Sequence, residues 1–167
     1  MQTIFGRLFK DTIMRPIIYR GQRLDNGKWE YGDLIENQGR FFIYHASSES
    51  TIKDNDDGQI VVCAVEVDPA TVGQYTGLKD KNGRDIYEGD VCEVEKTYLN
   101  YGKYLQMDDA WSTKKRNYVC CFVDGTFRIR RTYLNKRKKE RLEDGSFKDC
   151  GVIGNIYDNP ELLEENA

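Results

Sequence analysis

The amino-acid sequence predicts a mainly β protein built from antiparallel strands. Three observations carry this. Apolar and aromatic residues fall in short runs, several alternating with polar residues as a half-buried strand requires. Turn dipeptides punctuate these runs at Asn26-Gly27, Asn82-Gly83, Gly89-Asp90, Asp124-Gly125 and Asp144-Gly145. The aromatic set is dominated by Tyr, 11 against 7 Phe and 2 Trp, a bias that suits strands and interfaces better than helices.

A chain of 167 residues can bury one proper core and is short for two. We expect an N-terminal arm over residues 1–13 and a single domain over 14–167. With 39% hydrophobic and 32% charged residues the chain reads as a soluble globular protein, on the polar side. A formal charge of −3 gives the chain as a whole no attraction for nucleic acid or an anionic membrane. The cysteines Cys63, Cys92, Cys120, Cys121 and Cys150 are odd in number and contain no C-x-x-C pair. That excludes a zinc ribbon and a disulfide framework, and with no secretory signal it points to reduced thiols in a cytoplasm. The apolar run at 60–65 is far too short to span a bilayer, so no membrane partner is expected.

In chain order, residues 17–20 read as a strand, then a turn at 25–27, then a strand at 28–35 with Trp29 and Tyr31 on one face. Strands follow at 40–45 and at 59–67, the most apolar of all, with a polar loop at 46–58 between them. The stretch 75–95 holds two turns and the strand 91–95; at Asn82-Gly83 the dipeptide predicts a type I′ turn with positive φ at both residues. Residues 98–116 show no sustained period and read as an insertion between strands, as do 132–147. A hairpin across Asp124-Gly125 joins strands 117–123 and 126–131, with Phe127 and Ile129 on one face and Arg128 and Arg130 on the other. A last strand at 151–157 leads to Asn159 as N-cap and Pro160 at the first position of a short C-terminal helix, 161–165. The sum is a mainly β architecture of short antiparallel strands, a twisted sheet or small SH3-like barrel, with that short helix at its end. The segments 26–35 and 82–91 share Asn-Gly, a basic residue, and Tyr shortly before Gly-Asp, consistent with two similar hairpin units or with reuse of the same turn chemistry.

Three of these segments carry a resemblance. V-D-P-A-T-V-G-Q-Y-T-G-L-K-D-K-N-G-R-D-I-Y-E-G-D-V at 67–91 is similar to the signature of the YopX family of phage and prophage proteins. V-I-G-N-I-Y-D-N-P-E-L-L at 152–163 resembles that family's C-terminal signature, and Y-R-G-Q-R-L-D-N-G-K-W-E-Y-G-D-L-I at 19–35 one form of its N-terminal region. The resemblance implies a small, mainly β protein encoded by a phage or prophage and acting in the cytoplasm of the bacterial host. It implies no catalytic residue and no cofactor. Residues 1–13, 98–116 and 132–147 depart from the pattern.

The sharpest local chemistry is the strip 128–141, R-I-R-R-T-Y-L-N-K-R-K-K-E-R, with eight basic residues against one acid. Arg128, Arg130, Arg131, Lys136, Arg137, Lys138, Lys139 and Arg141 could face phosphates with Tyr133 stacking on a base. A solvated hairpin tip explains the strip with less and is the favoured reading. His45, the single histidine, lies at a strand end and supports neither a triad nor a metal site. D-N-D-D-G at 54–58 lacks the glutamate that a calcium loop places six residues after its glycine; Ala64 stands there. Glu88, Asp90 and Glu93 near Arg84 are explained by turn formation and edge protection, and Gly77, Gly83 and Gly89 by backbone turns rather than a phosphate loop. Cys120 and Cys121 face opposite sides of a strand, one in the core and one free. A hydrolase would need Asp90, Arg84 and His45 gathered in one deep pocket. The expectation is a non-enzymatic accessory protein that binds a phage or host protein and self-associates, with nucleic-acid binding through the strip as the alternative.

Overall fold

A computed structural model describes residues 16–44, 53–54, 60–61, 64–99, 111–134 and 140–166 of the chain. Its strands are β1 (Tyr19–Gln22), β2 (Trp29–Asn37), β3 (Arg40–Tyr44), β4 (Lys53–Asp54), β5 (Ile60–Val61), β6 (Ala64–Val67), β7 (Gly73–Lys79), β8 (Asp85–Tyr87), β9 (Asp90–Leu99), β10 (Trp111–Val123), β11 (Thr126–Leu134), β12 (Glu140–Asp144) and β13 (Cys150–Asn155). They form a six-stranded sheet, β6-β3-β2-β1-β7-β8, a five-stranded sheet, β12-β11-β10-β9-β13, and the pair β4-β5. The expected mainly β, antiparallel class is what the chain adopts. Neither sheet closes into a barrel among the described residues. The approach to closure is one bridge, Arg23 with Val67, which brings the end of β1 to the edge strand β6. Gly21 lets them meet, because a Cβ there would lie 2.9 Å from Val67.

Turn chemistry is placed differently from the sequence reading. Both central residues have positive φ at Gln38-Gly39 (53° and 76°) and at Asp124-Gly125 (52° and 76°), the I′ pattern. At Asn82-Gly83 only Gly83 is left-handed, at 85°. Asp80 is the cause: its carboxylate accepts the amide hydrogens of Asn82 and Arg84 at 2.8 and 2.9 Å. That holds Asn82 right-handed and makes a three-residue loop, closed by Gly83 N–H to Asp80 O at 2.9 Å. The two similar segments also diverge, since Gly32 lies inside β2 whereas Gly89 sits in a tight turn at φ 79°.

Both described ends of the expected insertion at 98–116, residues 98–99 and 111–116, are strand, and residues 100–110 lie outside the described residues. β9 and β10 pair without a break from Val91 opposite Val119 out to Leu99 opposite Trp111. The arm is held by polar pairs, Lys115 with Glu93 at 2.8 Å, Thr97 with Thr113 at 3.2 Å, and Arg116 over the Tyr98 ring at 4.9 Å. Such pairs stabilise a sheet but leave no apolar alternation to read. Within the expected insertion 132–147, Thr132 to Leu134 pair with Leu142 to Glu140.

The core against the five-stranded sheet is Cys92, Val94, Tyr118, Cys120, Ile129, Cys150 and Val152, joined by Ile86 of β8, with Phe147 packed against it. The chain's end is a 3-10 helix, Pro160–Asn166, where the sequence predicts a helix capped by the Asn159 side chain. Leu162 N–H bonds to the Asn159 carbonyl at 3.1 Å, the three-residue spacing of that tighter helix. So short a segment takes its geometry from docking, and Asn117 Nδ2 donates to Leu162 O at 2.8 Å.

Candidate functional site

The polar residues of the two longest matching segments meet where the sheets join. The turn between β8 and β9 is the hub. Gly89 N–H donates to Cys120 O at 2.9 Å, and Ile156 N–H donates to Gly89 O at 2.9 Å. The Glu88 carboxylate accepts Phe122 N–H at 3.1 Å and Gln74 N–H at 3.4 Å. Arg20 reaches this turn from β1. Its Nη1 lies 2.6 Å from Asp90 Oδ1, with the two side chains only 4% and 1% exposed. Its Nη2 donates to Glu88 O at 2.9 Å, and the guanidinium lies 4.7 Å from the Trp29 ring centroid and 5.1 Å from that of Tyr87. Burial pushes the Asp90 carboxyl above its ordinary range, with Arg20 pulling it back.

Two further carboxylates bind the sheets together. Asp80 Oδ2 accepts Val152 N–H at 2.9 Å, and Lys81 N–H donates to Cys150 O at 3.0 Å, so the β7-β8 hairpin covers the edge strand β13. Burial pushes Asp80 up, but the amide hydrogens of Val152, Arg84 and Asn82 outweigh it and hold the carboxyl below its usual range. Asp158 accepts from Gln22 Nε2, Trp29 Nε1 and Asn155 Nδ2, each at 2.7 Å. The Asn155 hydrogen bond, followed by those of Trp29 and Gln22, holds Asp158 below the usual carboxylate range.

Beside this joint lies an open cleft of about 340 Å³ lined by Arg20, Tyr31, Arg84, Asp85 and Tyr87. Tyr31 meets Tyr87 edge-on at 5.5 Å, and Tyr87 meets Tyr75 at 5.4 Å. Burial pushes the Tyr87 hydroxyl up to about 12, so it stays protonated at neutral pH. Asp85 takes the Lys79 ammonium at 2.5 Å.

The basic strip is divided by strand alternation. Arg128 and Arg130 share one acid, Asp144, at 3.0 and 2.7 Å. Arg131 follows Ile129 on the opposite, core-side face, since Ile129 is fully buried. Tyr133 pairs with Arg141 in the β11-β12 register, while Lys136, Arg137, Lys138 and Lys139 lie outside the described residues. His45, Cys63 and residues 55–58 also lie outside them. The acids near Arg84 go separate ways: Asp90 to Arg20, Glu93 to Lys115, Glu88 to backbone amides. Cys120 is buried and Cys121 half-buried, as the strand reading requires, and burial pushes both thiols up. Among the described residues there is no group of three or more metal-ligating side chains, and no helix long and apolar enough to cross a membrane.

Sequence reading missed Arg20, Tyr31 and Tyr87 as site residues. All three lie inside the segments that carry the family resemblance, and Arg20 is the cation of the expected first strand, I-I-Y-R. That was the available signal.

In comparison with known proteins, residues 18–164 match the family model described as YopX protein. No curated protein matches the chain. A solved structure, the crystal structure of protein EF1440 from Enterococcus faecalis, is similar at a TM-score of 0.47 and 20% identity, over 89% of this chain and 98% of that one.

Proposed function

The chain belongs to the YopX family, and from that premise we propose a phage- or prophage-encoded accessory protein that acts by binding a phage or host protein and by self-association, without catalysis, in the bacterial cytoplasm. One observation carries the non-catalytic reading: the polar residues of the matching segments serve architecture. Arg20, Asp80, Asp90 and Asp158 are each engaged in bonds that fasten one sheet to the other, and Asn155 holds Asp158 in place. The phage origin and the cellular compartment rest on the resemblance to the family. Exposed aromatic and aliphatic side chains on strands, Trp111, Phe122, Tyr31 and Ile153 among them, support a role in contacts with other proteins.

The small-barrel part of the reading is supported by element order. Strands β1, β2, β3, β6 and β7 follow one another with a 3-10 turn, Pro69–Thr71, before β7, and β7 returns to pair with β1. The Arg23-Val67 bridge draws the edge strand β6 toward the end of β1. Such an order supports reading this part as an SH3-like barrel left open along one side, a likeness of fold and not of function.

The test is recovery of partners by tagged protein from induced host lysate, with and without nuclease. Partners that survive nuclease support the proposal. Recovery that collapses with nuclease would move nucleic-acid binding, through the strip 128–141, into its place.

A further inference from the structure

We propose that the cleft between Tyr31, Tyr87 and Arg84 recognises a peptide segment that carries a carboxylate beside an aromatic ring. The idea rests on the protein-binding reading above and names the chemistry of the partner. At about 340 Å³ the cleft falls within the range of small-ligand sites. Its walls are fixed before anything binds. Tyr87 is wedged between Tyr31 and Tyr75, while Tyr31 keeps 43% of its surface open and presents a ring for stacking. The Arg84 backbone is anchored by Asp80 at 2.9 Å, so its guanidinium projects from a rigid hairpin tip.

The charges select the ligand. Arg20 is matched by Asp90 and Asp85 by Lys79. The exposed Arg84 forms no salt bridge among the described residues, which leaves a single positive charge in the cleft with the fork geometry that suits a carboxylate. Arg20 forms part of the cleft wall, with its guanidinium committed to Asp90 and Glu88. A polyanion fits less well: affinity for nucleic acid grows with the number of phosphates neutralised, and here one cation faces an acid, Asp85, in the same cleft.

The test is an amide NMR titration of the full chain with the capped dipeptide acetyl-Glu-Trp-amide, run beside acetyl-Lys-Trp-amide and uridine monophosphate. The expected result is a saturable shift of the Tyr31, Arg84 and Tyr87 signals with the acidic dipeptide, at a Kd of about 1 mM or tighter. Arg84→Gln and Tyr31→Ala should each weaken it about tenfold, a loss of about 1.4 kcal/mol, with the rest of the spectrum unmoved. Trp111→Ala, far out on the β9-β10 arm, should leave it unchanged. Equal response to the lysine dipeptide, a stronger response to the nucleotide, or no saturable shift at these residues overturns the proposal. If lysate partners are still recovered by Arg84→Gln and Tyr31→Ala, the cleft proposal fails and the protein-binding reading stands. If wild-type protein recovers none, the broader reading fails.

Discussion

Arg20 and Asp90 meet at 2.6 Å in the interior, one from the smaller strands of the first half of the chain and one from the first position of β9. Such a pair adds little net stability over an apolar substitute, but breaking it strands a charge away from water. Its value here is registration: it fixes which turn of the second sheet sits on β1.

Arg20→Leu is therefore expected to cost about 3–5 kcal/mol of unfolding free energy, measured by chemical denaturation. The Arg20→Leu, Asp90→Leu double variant should recover much of that loss. The pH dependence has a definite sign. Asp90's folded pKa lies above its unfolded value, so the favourable contribution is complete below about 3.9 and is lost as pH rises through the folded value. Without Arg20 the upward push is stronger, so the single variant should lie closest to wild type in mild acid. A deficit that grows toward acid pH would refute the assignment.

Asp158 has the opposite sign. Its folded pKa is depressed, so its contribution is present above the unfolded value of about 3.9 and disappears as pH falls through the folded one. Because the group is exposed, solvent screens part of the effect. Asp158→Ala should cost about 1–2 kcal/mol at neutral pH and alter Trp29 fluorescence, since Trp29 Nε1 loses its acceptor. An unchanged emission spectrum would argue against the bond.

Gly73→Ala tests the close approach of β7 to the hub. A Cβ at Gly73 would lie 2.6 Å from the Glu88 carbonyl oxygen, a backbone atom that also accepts from Arg20. Overpacking of this kind costs about 1–3 kcal/mol. Gly27→Ala, in open space but at φ 70°, should show only the smaller penalty of a left-handed residue. Equal melting temperatures for the two variants would contradict this account.

Asp144→Asn tests the basic strip. Removing the acid's charge releases Arg128 and Arg130 from their shared partner. If Asp144 holds those arginines away from phosphates, the variant should bind single-stranded DNA more tightly than wild type in a filter assay, with a steeper salt dependence. Folding stability should change little, because all three side chains reach solvent. Identical binding by both proteins would remove Arg128 and Arg130 from the alternative reading.

The sequence by itself determined the antiparallel β class, most strand positions, and the opposite faces of Arg128 and Ile129, because period-two alternation and turn dipeptides are local properties of the chain. It also carried the family, through segments whose spacing is unbroken. The bridge from the end of β1 to β6, the length of the β9-β10 arm and the handedness of Asn82 were decided elsewhere. The arm is held by cross-strand polar pairs that leave no apolar period. Asn82 obeys a carboxylate, Asp80, whose second oxygen is held by β13. The C-terminal turn takes its form from Asn117 on β10. Arg20 carries no local mark of being buried, and only the approach of Asp90 makes its burial tolerable. The cleft beside it exists because three distant segments converge there, a property of tertiary packing that no single stretch of sequence contains.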